Sequence, residues 1–259
     1  MIIVFYSILF IVGACLGSFL CCQARRLHYN STHHAKKIAS KRSICLHCRH
    51  QLIWYDNIPI ISWLILKGKC RNCHHSIGIA EPISELGLGL AFLALGTTFE
   101  LSTTDPLTWA VFIIALVFVA IIGFLAIYDG LYGELPTQYL IISIIVAIVI
   151  LILQTIIYLQ SNPFTPNLVW YPLASIAILG GLYLVLYLVS KGRWVGDGDW
   201  LLATSLAIVL ANPWLAFLNL FFANFLACLV MLPIAKQSKT HKIYFGPFLA
   251  IAFIIAYML

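Results

Sequence analysis

Apolar residues in this chain run in long unbroken blocks between short polar breaks, with neither the alternation of half-buried strands nor the narrow stripe of a water-soluble helix. The blocks fall at roughly 2–22, 83–99, 106–128, 138–160, 169–190, 214–235 and 243–259, and a shorter one runs from Trp200 to Ala211. A helix of about 20 apolar residues matches the hydrocarbon thickness of a bilayer. The pattern therefore predicts an all-α integral membrane protein of about eight transmembrane helices. It also divides the chain into a first transmembrane helix at 1–22, a polar loop at 23–81 and a multi-span domain at 82–259.

Composition narrows the class. With 62% hydrophobic and 9% charged residues, there is too little polar surface to cover a water-soluble domain. Eight spans with the amino terminus outside put residues 23–81, 129–137, 191–199 and 236–242 in the cytoplasm. All fifteen Lys and Arg fall there: ten in the first loop, then Lys191 and Arg193, then Lys236, Lys239 and Lys242. The outward connections near 100–105, 161–168 and 212–213 hold none, as the positive-inside rule requires. The first block lacks a basic leading region and a small-residue cleavage site, so it reads as a retained span. The net charge of +6 is accounted for by these loops meeting anionic lipid, and no aromatic-interleaved basic stripe calls for a nucleic-acid partner.

Within the first loop, Cys45-Leu46-His47-Cys48 and Cys70-Arg71-Asn72-Cys73 form two Cys-x-x-Cys pairs separated by 21 residues. Four thiolates at this spacing make a structural zinc site, and a reducing cytoplasm disfavours disulfides. His47, His50, His74 and His75 crowd the same region, but four cysteines already complete a tetrahedral shell. Such a site leaves no open position for water, so the metal is expected to stabilise the loop and not to catalyse.

Two aspartates stand where spans meet the basic face. Asp129 ends the run Pro106 to Tyr128, and Asp199 closes Gly196-Asp197-Gly198-Asp199 before the next helical block. An ionisable residue at membrane depth is costly and points to function. Paired carboxylates can share one proton, one acting as base toward water while the other polarises a peptide carbonyl. The plainer alternatives are a charge that stops a helix for Asp129 and a helix N-cap for Asp199. Glu134 and Asp197 compete with them, and the residues alone leave that choice open.

Taken together, these motifs resemble the bacterial prepilin peptidases, the bifunctional leader peptidase and N-methyltransferase enzymes of type IV pili, type II secretion and competence pseudopili. Gly13, Gly17, Ser18, Phe19 and Leu20 are similar to the family's opening motif. Cys45, Cys48, Asn57, Ile58, Pro59, Ser62, Trp63, Gly68, Lys69, Cys70, Arg71, Cys73, Pro82 and Glu85 are similar to its zinc loop. Asp129 with Pro136 seven residues on, and Gly196-Asp197-Gly198-Asp199, resemble its two proteolytic signatures. The resemblance implies that Asp129 and Asp199 form an aspartyl dyad, with Asp197 at a variable position. It implies substrates that are prepilins or pseudopilins with a short basic leader, cut on the cytoplasmic side of the bacterial inner membrane. It also implies methyl transfer from S-adenosylmethionine, for which Glu85 is the candidate residue. The ordinary role of Glu85 would be an ion pair with Lys67 or Arg71. Cys21 stands where the family usually has Asn, Glu81 where it often has Tyr, and Leu201 where it commonly has Lys. A transporter or proton channel is the competing non-enzyme class, but it would call for an internal repeat and charges near mid-bilayer.

Overall fold

In the computed structural model of the chain, the described residues are 2–32, 44–45, 47–48, 50–99, 105–193, 195–235 and 244–259. Lys36, Lys37, Lys41, Arg42, Arg49, Lys236, Lys239 and Lys242, with most of the connection at 100–105, lie outside them. The chain forms two compact units, Met1–Gly96 and Thr97–Leu259.

The first unit is built on α1 (Ile2–Thr32) and α3 (Ala80–Thr97), with a loop between them that carries the short helix α2 (Ile61–Ile65). Small residues let the two long helices meet backbone to backbone. A Cβ on Gly13 would lie 2.6 Å from the Leu88 carbonyl oxygen, and one on Gly17 would lie 2.8 Å from the Glu85 Cα. The Gly-x-x-x-Gly step is thus used for packing within the chain. Gly17→Ala is expected to push α1 off α3 at an overpacking cost of about 1–3 kcal/mol. Thermal unfolding in detergent measures this, and an unchanged melting temperature would show that the helices separate freely.

The second unit contains α4 (Pro106–Tyr132), α5 (Thr137–Ser161), α6 (Asn167–Ile176), α7 (Leu182–Ser190), α8 (Asp197–Leu210), α9 (Pro213–Ala235) and α10 (Gly246–Met258). A π turn at Ala177–Gly181 joins α6 to α7 in one rod. At its core stands α8, whose Leu202, Ala203, Leu206 and Ala207 are fully buried among its neighbours. That packing explains how a helix of 14 residues occupies the middle of the unit. Ile141, Ile145, Ile148, Ile152 and Ile156 line the outer face of α5, as a lipid-facing stripe requires.

Each of the eight apolar blocks corresponds to a helix, and no strand occurs among the described residues beyond two isolated bridges. Among these residues, five helices are long and apolar enough to cross a bilayer: Ile2–Thr32, Pro106–Tyr132, Thr137–Ser161, Asn167–Ser190 and Pro213–Val230. The helices over the other three blocks do not reach that standard: α3 begins with two glutamates in its first two turns, and α8 and α10 are short.

Candidate active site and metal centre

In the first unit, each Cys-x-x-Cys pair sits on a tight turn closed by an antiparallel bridge, Ile44 with Gln51 and Lys69 with Ser76. Backbone bonds fix the turns: the Cys45 amide donates to the His50 carbonyl and the Cys70 amide to that of His75, both at 2.9 Å. The four sulfurs of Cys45, Cys48, Cys70 and Cys73 consequently lie within 4.8 Å of one another. This suits a tetrahedral metal ion, whose sulfur ligands stand about 2.3 Å from it. The electrostatics suit it too. A backbone amide from His50 draws the Cys48 thiol down to about 6. The Cys73 amide lowers Cys70 in the same way. Cys73 itself accepts the His75 amide, which lowers it, yet burial and the neighbouring thiols leave it pushed up to about 12. The cluster retains a proton that a metal cation would displace. Among the described residues no histidine joins the group of ligand atoms; the His47 and His75 rings stack on each other at 4.2 Å.

Beside the cysteines, a cavity of about 630 Å³ is lined in part by Ser18, Asn57, Trp63, Cys45, Cys70 and Glu85. Two charge pairs border it, Arg25 with Glu81 at 3.2 Å and Arg71 with Asp56 at 2.8 Å. Glu85 differs from these carboxylates. The alternative role, an ion pair with Lys67 or Arg71, is not seen among the described residues, and Arg71 pairs with Asp56. Glu85 instead accepts the Ile60 amide at 2.6 Å and has no basic partner among the described residues. Ile60 has φ 63° and ψ −50°, a γ-turn closed by the Ile61 amide on the Pro59 carbonyl, which is strained for an isoleucine, so the carboxylate clamps a strained turn. Ile60 went unpredicted, since the asparagine-isoleucine-proline run around it signals a turn but not its anchor.

In the second unit, Asp129 lies in the last turn of α4, which ends on Gly133 in the left-handed conformation. Its side chain is only 5% exposed. Its Oδ2 accepts the amide of Gly246, the first residue of α10, at 2.8 Å. A Cβ at Gly246 would come within 2.9 Å of that oxygen, so the approach requires glycine. Asp199 is 9% exposed. The helix starts earlier than the plainer cap reading would have it: Gly196 is the N-cap of α8 and Asp199 occupies the third helical position. From there its Oδ2 reaches back to accept the Gly196 amide at 2.9 Å, the return half of a capping box. Gly198 allows this turn to press on Leu135, whose Cβ would stand 2.6 Å from a Cβ placed there. Asp129 and Asp199 are thereby held on separate helices whose ends meet where Gly198 packs on Leu135. Asp197 is exposed, and Glu134 falls in the short α4–α5 connection.

Each of the two carboxylates has one oxygen occupied by a backbone amide, leaving the rest of its acceptor capacity for a substrate or water. Sequence reasoning missed Gly246. Gly246-Pro247 does mark a helix start, but nothing local ties it to Asp129.

The Bacterial Peptidase A24 N-terminal domain model matches residues 11–99. A Prepilin leader peptidase/N-methyltransferase from Bacillus subtilis is 29% identical over 97% of this chain and 93% of its own. A protein of the same name from Dichelobacter nodosus is 30% identical over 81% of this chain and 68% of its own. One from Myxococcus xanthus is 41% identical over 38% of this chain, a match that spans 29% of that relative. No solved structure matches significantly.

Proposed function

Because the chain belongs to the type IV prepilin peptidase family, we propose that it removes the short basic leader of prepilins or pseudopilins with Asp129 and Asp199 as an aspartyl pair. The observation that carries this reading is a pair of buried carboxylates on α4 and α8, each steadied by one glycine amide, at helix ends that meet through the Gly198–Leu135 contact. One carboxylate, ionised, takes a proton from the attacking water. The other, protonated, donates to the scissile carbonyl as the tetrahedral centre forms. No acyl-enzyme is required. The distribution of Lys and Arg supports a site at the cytoplasmic face of the bacterial inner membrane, where a basic leader stays under the positive-inside rule.

The same reading assigns residues 1–22 to a first span, 23–81 to a zinc-stabilised loop held by Cys45, Cys48, Cys70 and Cys73, and 82–259 to the peptidase part. It places N-methylation of the new amino terminus at the cavity beside Glu85. S-adenosylmethionine, when bound, supplies an electrophilic methyl group on a cationic sulfur. An unneutralised carboxylate on the wall of a cavity large enough for a nucleoside fits that cation, and it also fits the amine that must lose a proton.

The test is a leader-cleavage assay in detergent on a prepilin-like peptide, with the new terminus weighed by mass spectrometry. Native protein is expected to release the leader and add one methyl group. Failure on several such substrates overturns the reading. Glu85→Gln keeps an oxygen for the Ile60 amide, so the turn survives. It is expected to lower methylation by about 10²-fold or more while cleavage stays near native. Equal methylation by this variant would remove Glu85 from the site.

A further inference from the structure

Tyr183 on α7 is a phenol sealed inside the second unit at 2% exposure. Burial of this kind requires a partner for the hydroxyl, and the Asn224 side-chain amide of α9 supplies it, donating to the Tyr183 oxygen at 3.2 Å. An oxygen that accepts such a bond keeps its own proton for something else. Two further observations say where that proton is used. The Tyr183 ring lies 5.4 Å from that of Phe245, the residue immediately before the Gly246 amide that holds Asp129. Gly180, three residues before Tyr183, packs against Thr204, and the Ser175 hydroxyl donates to the Ala207 carbonyl at 2.8 Å, so α8 runs back along this rod with Asp199 near the level of Tyr183; among the described residues no hydrogen bond joins the two directly. The α5, α6, α9 and α10 helices packed on α8 carry no carboxylate or cation among the described residues, so no other charge on them competes for the hydroxyl.

We propose that Tyr183 is a third catalytic residue of the aspartate site, oriented by Asn224 so that its hydroxyl donates a hydrogen bond to the attacking water beside Asp199. The inference rests on the peptidase reading above. It gives the water two fixed partners, an acceptor in the ionised carboxylate and a donor in the phenol. Such a pair aims one lone pair at the scissile carbon. The bond is retained through attack, and the water proton still leaves to the carboxylate.

Tyr183→Phe keeps the ring, its burial and its packing on Phe245, and removes the donor alone. It is expected to lower kcat for leader cleavage about 10- to 100-fold with KM within about twofold, the signature of an interaction made in the transition state. Asn224→Leu is expected to lower kcat less. The double variant is expected to be no slower than Tyr183→Phe, because Asn224 acts on the site through the hydroxyl and its other bond goes to the Leu220 carbonyl of its own helix. A purely structural tyrosine would change the melting temperature or KM instead. Full kcat in Tyr183→Phe, or losses that simply multiply in the double variant, would overturn the proposal. Parallel assays of Asp129→Asn and Asp199→Asn separate the two failures. Silent aspartate variants beside a full-speed Tyr183→Phe sink the tyrosine alone, whereas active aspartate variants sink the peptidase reading itself.

Discussion

Asp129→Asn and Asp199→Asn are each expected to lose leader cleavage by about 10³-fold or more, since an amide can neither take a proton from water nor give one to a carbonyl. Asparagine is the informative replacement here. It keeps the shape of the side chain and a carbonyl oxygen, so the Gly246 amide still finds an acceptor at position 129 and the Gly196 amide still finds one at 199. Helix packing around α8 and α10 should therefore survive. A native-like melting temperature in detergent checks that the loss is chemical. Asp197→Asn serves as the control from the same turn. It is exposed to solvent, and its variant is expected to keep substantial activity. Near-normal cleavage by Asp199→Asn would sink the assignment of the pair.

Withdrawing the metal is the second large effect. Cys70→Ser, or chelation of the native protein, is expected to reduce bound zinc from about one per chain to near zero, because a tetrahedral site loses most of its affinity with one thiolate. Among the described residues of the loop between α1 and α3 few are buried, Cys70 being one of them. Structural zinc of this kind contributes about 10–16 kcal/mol of apparent folding free energy at neutral pH. Limited proteolysis should then cut within 44–77, where native holo-protein resists. Acid should do the same. The metal-binding form of a thiol with a lowered pKa is present above that pKa and is lost as pH falls through it. With Cys48 already drawn down to about 6 and zinc pulling it lower, release belongs below about pH 6. Zinc content that is unchanged in Cys70→Ser would remove the metal claim.

These two sites differ in how far the sequence discloses them. The cysteine pairs carry their geometry locally, since each lies on one turn and the spacing alone announces four ligands. The helices are equally open to reading, because apolar blocks in a bilayer have few alternatives to an α-helix. The aspartate site is only half legible. Its two carboxylates stand out by being charged at the ends of apolar runs, but what holds them does not. The plainer alternative for Asp199, the cap itself, falls to Gly196, which has the extended backbone an N-cap needs and leaves Asp199 at the third helical position. The ordinary alternative for Glu85, a cation partner, is not what the structure shows: it binds a backbone amide, and Arg71 meets Asp56. Tyr183 and Asn224 are 41 residues apart and read as an ordinary aromatic and an ordinary polar residue in apolar helices. Such pairings are created by tertiary packing and leave no periodic trace.

The hydrogen bond to Asp129 also sets a clock. Its donor is encoded 117 residues after its acceptor. At about 5–20 residues per second, a ribosome takes roughly 6 to 23 seconds to travel from one to the other. Throughout that interval α4 exists without α10, and Asp129 has no glycine amide to fix its rotamer. The nascent chain threads into the bilayer with this corner of the molecule unfinished, and only the arrival of α10 completes it.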